Sequence, residues 1–234
     1  MRNVTYVHAP PKKELSVIIL SAGPGSRMKS YGPRPLIRLT PAQTILSRQL
    51  DIIGRTLHPK EIILISGYEA KKIMDNTPPW VVNIENEKFD TTNITRSIGI
   101  GLRAATTENI LVVYGDLVFN DAALEELPID HSLVLIDDNT MKDSEVGCNI
   151  IDGKLENIFY GLPNKWAQMA FFKGKELKLL KTICWNPEKY NFYGFETLNE
   201  IIDKNGSFLS YKPKGLKIVD VDSPKDIERA KNII

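Results

Sequence analysis

The stretch Leu15-Ser16-Val17-Ile18-Ile19-Leu20-Ser21-Ala22-Gly23-Pro24-Gly25-Ser26-Arg27 begins as an apolar, β-branched run and breaks into glycines. Such a run reads as a buried strand, and glycines directly after it let the backbone turn tightly with no Cβ in the way. The N–H groups of that turn can then approach phosphate oxygens, and Arg27 adds a permanent cation at the same place. Working outward, short β-branched runs recur over 61–66, 81–84 and 110–114, with helix-like stretches around 43–57 and over 93–105 between them. Alternation of this kind predicts a mostly parallel sheet covered by helices. The second helix is expected to be capped by Thr92.

Beyond Ser132 the pattern changes. Strand-like runs over 133–136, 146–151, 155–159 and 167–172 follow closely, with Asp152-Gly153 as a turn signal, and predict an antiparallel portion of the sheet. Helices are expected over 175–182 and 195–204, then a strand over 216–221. Ser223 at N-cap, Pro224 at N1 and Asp226 at N3 announce a closing helix through an acidic variant of the capping box. The fold class is therefore α/β, a single-domain, Rossmann-like mixed sheet flanked by helices with a small antiparallel portion. Residues 1–14 are expected as an N-terminal extension and 15–234 as the domain.

Composition narrows the chemistry. The 234 residues carry 30 Lys plus Arg against 29 Asp plus Glu, a formal net charge of +1, and 42% are hydrophobic. A balance so even, with no Lys/Arg block, argues against a nucleic-acid partner or a polybasic membrane anchor. No apolar stretch approaches the roughly 20 residues of a membrane span, and no signal-peptide pattern opens the chain. A cytoplasmic location is the expectation. Two cysteines, Cys148 and Cys184, and three scattered histidines, His8, His58 and His131, give neither a disulfide framework nor a zinc-ligand spacing.

Two familiar phosphate loops are excluded by the residues themselves. A P-loop needs Gly-Lys-Ser/Thr after four intervening residues. A dinucleotide fingerprint needs a glycine where Met28 stands and a helix opening at once, whereas 29–33 is expected to continue as loop. What Gly23-Pro24-Gly25-Ser26-Arg27 and Pro33-Arg34-Pro35-Leu36 do resemble is the Gly-x-Gly-Ser/Thr-Arg…Pro-Lys-x-Leu signature of nucleotidyltransferases of the sugar-1-phosphate and phosphocholine type. Arg34 stands where that pattern has lysine, which replaces a point ammonium with a planar fork.

Asp116 closes the run Ile110-Leu111-Val112-Val113-Tyr114, at the strand end where open α/β sheets place ligands. In Asp220-Val221-Asp222-Ser223-Pro224, period-2 alternation puts Asp220 and Asp222 on one side of the chain. Gly115-Asp116 resembles the metal-binding aspartate of the family, and Val221-Asp222-Ser223-Pro224 resembles its Val-Asp-Thr-Pro. Spacing leaves Asp220 open as the alternative ligand. The stretch from Asn86 to Ser97 resembles the phosphocholine cytidylyltransferase branch.

The resemblance runs from Val17 to about Ala230. It implies a nucleoside triphosphate, CTP or another, bound by Ser21, Ala22, Gly23, Gly25, Ser26, Arg27, Asn93 and Ser97. It implies Arg27, Arg34 and Asp116 as catalytic residues, and Mg²⁺, or Mn²⁺ in its place, on Asp116 and Asp222. The second partner would be a small phosphorylated or phosphonate acceptor, bound toward the antiparallel portion, and a homodimer stays open. Aromatics between Tyr160 and Phe195, with Lys165 and Glu196, are the acceptor-pocket candidates, against core packing as the alternative. Two rival functions remain: a nucleotide-sugar glycosyltransferase, for which Asp220-Val221-Asp222 formally supplies Asp-x-Asp, and a non-catalytic nucleotide-sensing module.

Overall fold

The computed structural model describes residues 13–137 and 145–234; in the first loop the side chains of Ser26, Arg27 and Lys29 also lie outside the described part. The first strand β1 (Lys13–Ser21) leads through the glycine loop and a 3₁₀ turn (Ser26–Tyr31) into a short hairpin, β2 (Arg38–Thr40) and β3 (Gln43–Thr44). Then come α1 (Ile45–Leu57), β4 (Pro59–Ser66), α2 (Ala70–Asp75), β5 (Val82–Glu85), α3 (Ile94–Ala104), β6 (Asn109–Tyr114) and β7 (Leu117–Phe119). The second half holds β8 (Leu133–Asp137), β9 (Val146–Ile151), β10 (Lys154–Tyr160), β11 (Asn164–Lys173), α4 (Gly174–Cys184) and α5 (Gly194–Asp203). It closes with β12 (Leu209–Tyr211), β13 (Ile218–Asp220) and α6 (Pro224–Lys231).

Nine strands form one sheet in the order β5-β4-β1-β6-β11-β8-β12-β10-β9. β5, β4, β1 and β6 run parallel, and the sheet turns antiparallel where β11 joins β6 and β8. This is the mixed α/β architecture that the spacing of the runs predicts. β1 shows why the apolar runs are continuous rather than alternating. Leu15, Val17 and Ile19 enter the core on one face, with Leu46, Leu50 and Ile53 of α1. Ile18 and Leu20 enter the opposite core, with Ile98 and Leu102 of α3. A strand buried on both sides has no polar face to show. Each such side chain contributes roughly 1.5–3 kcal/mol by leaving water. Gly101 lets α3 come close, since a Cβ there would lie 2.7 Å from Cγ2 of Ile18.

Local expectations differ in four places. Gln43 and Thr44 pair with β2 instead of starting a helix, and Thr44 caps α1 by accepting from Ser47 N at 3.1 Å. Residues over 29–31 belong to the 3₁₀ turn rather than a loop, because Met28 is buried with Ile37, Val118 and Val221 in a third core cluster and pins the turn down. Asn93, not Thr92, caps α3, its Oδ1 accepting from Ile94 N at 2.8 Å; Thr92 instead donates to Lys88 O at 2.6 Å. The last strand is only three residues long and leaves the main sheet, pairing antiparallel with β7 as a separate ribbon.

Among the described residues no helix is long and apolar enough to cross a membrane.

Candidate active site

Three segments bring the site together at the carboxyl ends of the central strands. The first is the turn after β6. Gly115 N donates to Leu20 O at 2.8 Å, and a Cβ on Gly115 would fall on the Ser21 side chain and lie 2.7 Å from Leu20 O. Only glycine allows β6 to stay so close to β1 as it turns, and Asp116 follows at once. Gln49 of α1 clamps the same turn from below, its amide donating to Tyr114 O at 2.9 Å and Leu117 O at 2.8 Å.

The second segment is the ribbon. The register Asp220↔Leu117, Val219↔Val118, extended by a bond from Val221 N to Asp116 O at 3.0 Å, lays the end of β13 beside Asp116. One ligand oxygen from each of Asp116, Asp220 and Asp222 then lies within 4.8 Å of the others. Both sequence candidates for the second acid are thus present together. Behind them Ser223 donates both its backbone N–H and its hydroxyl to Asp226 Oδ2, at the start of α6 where the capping pattern predicts it.

The third segment is the turn at Arg34–Leu36. The Arg34 side chain runs past Gly25, where a Cβ would sit 2.8 Å from its Nε; Gly25 has φ +54, so the position suits glycine twice over. Nη1 of Arg34 ends 2.6 Å from Asp116 Oδ2 and 2.6 Å from Asp222 Oδ1. One guanidinium nitrogen therefore bridges two acids that lie far apart in the sequence. Burial works against charge on Arg34, yet Asp116, Asp222 and Asp220 outweigh it and hold the guanidinium protonated beyond its ordinary range. Asp116 is raised above the usual carboxylate range, by burial first and by Asp222, against the pull of Arg34. Asp220 is pushed up to about 8 by burial, then by Asp116 and Asp222. Carboxylates crowded into a dry site resist ionising together.

Asp116 Oδ1 and Asp220 Oδ1 are buried and have no hydrogen-bond partner. Orphaned carboxylate oxygens are costly, and hard oxygen donors clustered in this way suit a divalent cation such as Mg²⁺. An aspartate whose folded pKa is raised binds more protons folded than unfolded, so its contribution falls as pH rises. Metal-free protein should therefore lose melting temperature between about pH 4, the ordinary aspartate range, and about pH 8 for Asp220. Melts in EDTA across that window test it; a melting temperature that rises instead would mean that Arg34 more than offsets burial.

Of the nucleotide-binding candidates, Ser21 is buried with an unpartnered Oγ, Ala22 uses its carbonyl to accept from Tyr68 N at 2.9 Å, and Gly23 faces open space. Ser26 and Arg27 contribute no described side chain. Ser97 is 4% exposed and accepts from the Asn86 amide at 3.2 Å, while Asn93 is taken up as the helix cap. Neither lines the cleft or joins the acidic cluster.

Beside the acids opens a cleft of about 590 Å³, lined among others by Tyr160, Lys165, Gln168, Tyr193, Phe195 and Asp220. Tyr193 and Phe195 stack at 5.7 Å, and Tyr160 stands edge-on to Phe195 at 5.4 Å. Tyr160 is 57% and Tyr193 52% exposed. Phe171 and Phe172 are core, as the alternative reading of the aromatics holds. Lys165 reaches Glu145 at 2.8 Å, whereas Glu196 accepts from Tyr193 N at 2.7 Å and serves the start of α5. Gln168, which no sequence motif marks, also faces the site: its amide donates to Asp220 Oδ2 at 2.7 Å.

Residues 17–131 match the family model of the MobA-like NTP transferase domain. The bifunctional protein GlmU of Buchnera aphidicola from Schizaphis graminum is 33% identical over 112 residues, 46% of this chain and 23% of that protein. GlmU of Buchnera aphidicola from Acyrthosiphon pisum is 25% identical over 174 residues, 72% of this chain and 33% of its own. The chain thus spans about a quarter to a third of these curated relatives. Among solved structures, the CTP:phosphocholine cytidylyltransferase of Streptococcus pneumoniae superimposes with TM-score 0.76 at 17% identity, covering 94% of this chain and 99% of that one. The inositol-1-phosphate CTP transferase of T. maritima gives 0.74 at 16%, covering 93% and 95%. A glucose-1-phosphate thymidylyltransferase described as putative, from Bacillus anthracis, gives 0.76 at 15%, covering 93% and 94%.

Proposed function

We propose that this chain, whose residues 17–131 match the MobA-like NTP transferase domain, is a nucleotidyltransferase that transfers a nucleoside monophosphate from CTP to a small phosphorylated or phosphonate acceptor and releases pyrophosphate. The observation that carries this reading is the convergence of Asp116, Asp220 and Asp222 beside the glycine loop, with an aromatic cleft on the other side. The acceptor oxygen attacks the α-phosphorus, and the bond to the β-phosphate oxygen breaks. No side chain needs to remove a proton, since a phosphate monoester with a second pKa near 6 is largely dianionic at neutral pH. Catalysis then reduces to positioning and to neutralising charge.

Mg²⁺, or Mn²⁺ in its place, would be held by Asp116 and Asp222 and would supply charge neutralisation at the α-phosphate. Arg34, to make way, would exchange its two carboxylates for phosphate oxygens, for which a guanidinium fork is suited. Arg27 remains in this reading as the second phosphate contact. Two of the structural likenesses are to proteins described as CTP enzymes, which supports the choice of donor. Exposed faces of Tyr160 and Tyr193 around Phe195 support an acceptor that carries a cationic head, since a ring face attracts a desolvated ammonium by on the order of 0.5–2 kcal/mol.

The test is pyrophosphate release from each of CTP, UTP, ATP, GTP and dTTP with phosphocholine, phosphoethanolamine, an aminoalkylphosphonate and glucose 1-phosphate. CTP with a cationic acceptor should be fastest, and the trimethylammonium compound should outrun an uncharged isostere by up to tens-fold, the equivalent of about 2 kcal/mol. Faster turnover of glucose 1-phosphate with UTP or dTTP would assign the chain to nucleotide-sugar synthesis. Glycosyl transfer without pyrophosphate would support the glycosyltransferase alternative.

A further inference from the structure

Five non-glycine residues among those described have positive φ. Four stand at turns or helix ends: His58 caps α1, Glu69 precedes α2, Asp152 turns between β9 and β10, and Asn205 follows α5. The fifth, Gln168 with φ +55, lies inside β11. The ladder between β11 and β8 breaks its register between Trp166 and Ala170, so the strand bulges there. Glycine would adopt that backbone at least cost, and a bulge re-aims one side chain while the strand continues. The side chain re-aimed here crosses to Asp220, 52 residues away in sequence, and donates to Oδ2 at 2.7 Å. It also lines the cleft. Strain retained at such a place is a pointer to function.

We propose that Gln168 is a positioning residue: the bulge in β11 aims its amide at Asp220 Oδ2 and fixes that carboxylate in the place it holds beside Asp116 and Asp222. Without the amide, Asp220 has freedom to turn away or to compete with Asp222 for the same cation. With it, one oxygen of Asp220 is occupied and the carboxylate is held. The amide can donate without adding charge to a site that already holds three acids. An acid or a lysine at this position would change the charge of the site.

The inference rests on the nucleotidyltransferase reading, and its test separates the two. Gln168→Gly keeps the backbone turn and removes the amide; Gln168→Leu removes the amide at similar volume. For each, Mn²⁺ affinity is measured by electron paramagnetic resonance, kcat and nucleotide KM by pyrophosphate release, and stability by thermal melting. Loss of a hydrogen bond that orients a group around a metal site weakens metal binding or turnover by about 10- to 100-fold. The expected result is a loss of that size in Mn²⁺ affinity or kcat in both variants, with nucleotide KM little changed. Gln168→Gly should melt no lower than the wild type. Wild-type Mn²⁺ affinity and kcat in both variants would overturn the proposal, and so would losses that only track a fall in melting temperature. If the wild-type protein releases no pyrophosphate from any triphosphate, the functional reading fails, and Mn²⁺ affinity alone still decides the role of Gln168.

Discussion

Asp116→Asn should reduce pyrophosphate release about a thousandfold while the protein still folds. The size comes from the several kcal/mol by which a bound divalent cation stabilises developing charge, at 1.36 kcal/mol for each factor of ten. Asn keeps the volume and cannot bind such an ion as a carboxylate does. The fold should survive because Asp116 is held by its backbone, through Val221 N and the turn that Gln49 clamps, and because its buried charge is a cost as well as a contact. Near-UV circular dichroism and a melt would check the fold. Turnover within tenfold of wild type would move the centre of the chemistry to Asp220 and Asp222.

Arg34→Ala carries the second large expectation, and it affects the resting protein as well as the reaction. Arg34 is the cation that bridges Asp116 and Asp222, and taking one partner out of a largely buried ion pair leaves uncompensated charge, at about 3–5 kcal/mol. Asp222 is half-exposed, so the lower end of that range applies. The variant should melt several degrees lower in EDTA, recover more than the wild type on adding Mg²⁺, and bind Mn²⁺ more tightly, since the competing guanidinium is gone. Its kcat should nonetheless fall tens-fold or more, as expected for a lost charge-assisted phosphate contact. Arg34→Lys separates charge from shape: an ammonium can neutralise, but it lacks the planar fork. An Arg34→Ala protein that melts like the wild type in EDTA would show that the bridge contributes nothing to stability.

The sheet was legible because β1, β4 and β6 are buried on both faces, and continuous β-branched runs leave little else to propose. Asp116 was legible for the same reason: it ends such a run, and strand ends carry ligands. The ribbon of β7 and β13 was not, because three-residue strands lack a period to read, and their pairing partner lies far along the chain. Arg34 is expected from the resemblance as a catalytic residue, and nothing local says that it lies against two acids. Gln168 gave no signal, since a polar residue in an apolar run looks like a surface position until the bulge is seen. Thr92 and Asn93 are both good caps, and the choice between them was decided by tertiary contact: Asn93 N bonds to Tyr190 O and Thr92 to Lys88 O.

The ribbon also sets when the acidic cluster can exist. Arg34 and Asp222 are 188 residues apart, and the short ladder of β13 with β7 lays the last acids beside the first. On a growing chain the parallel strands can pair while Asp116 still faces Arg34 alone, so the acidic cluster is among the last features to assemble. Contacts of such long sequence separation are slow to form, because loop closure must be paid for before they are made. The ribbon should also open before the sheet under stress, since a three-residue ladder outside the main sheet can detach at less cost than global unfolding. Under mild denaturant, activity should then disappear while the nine-stranded sheet persists, and hydrogen exchange at Val219 and Val221 should outpace exchange at Val17 and Ile19.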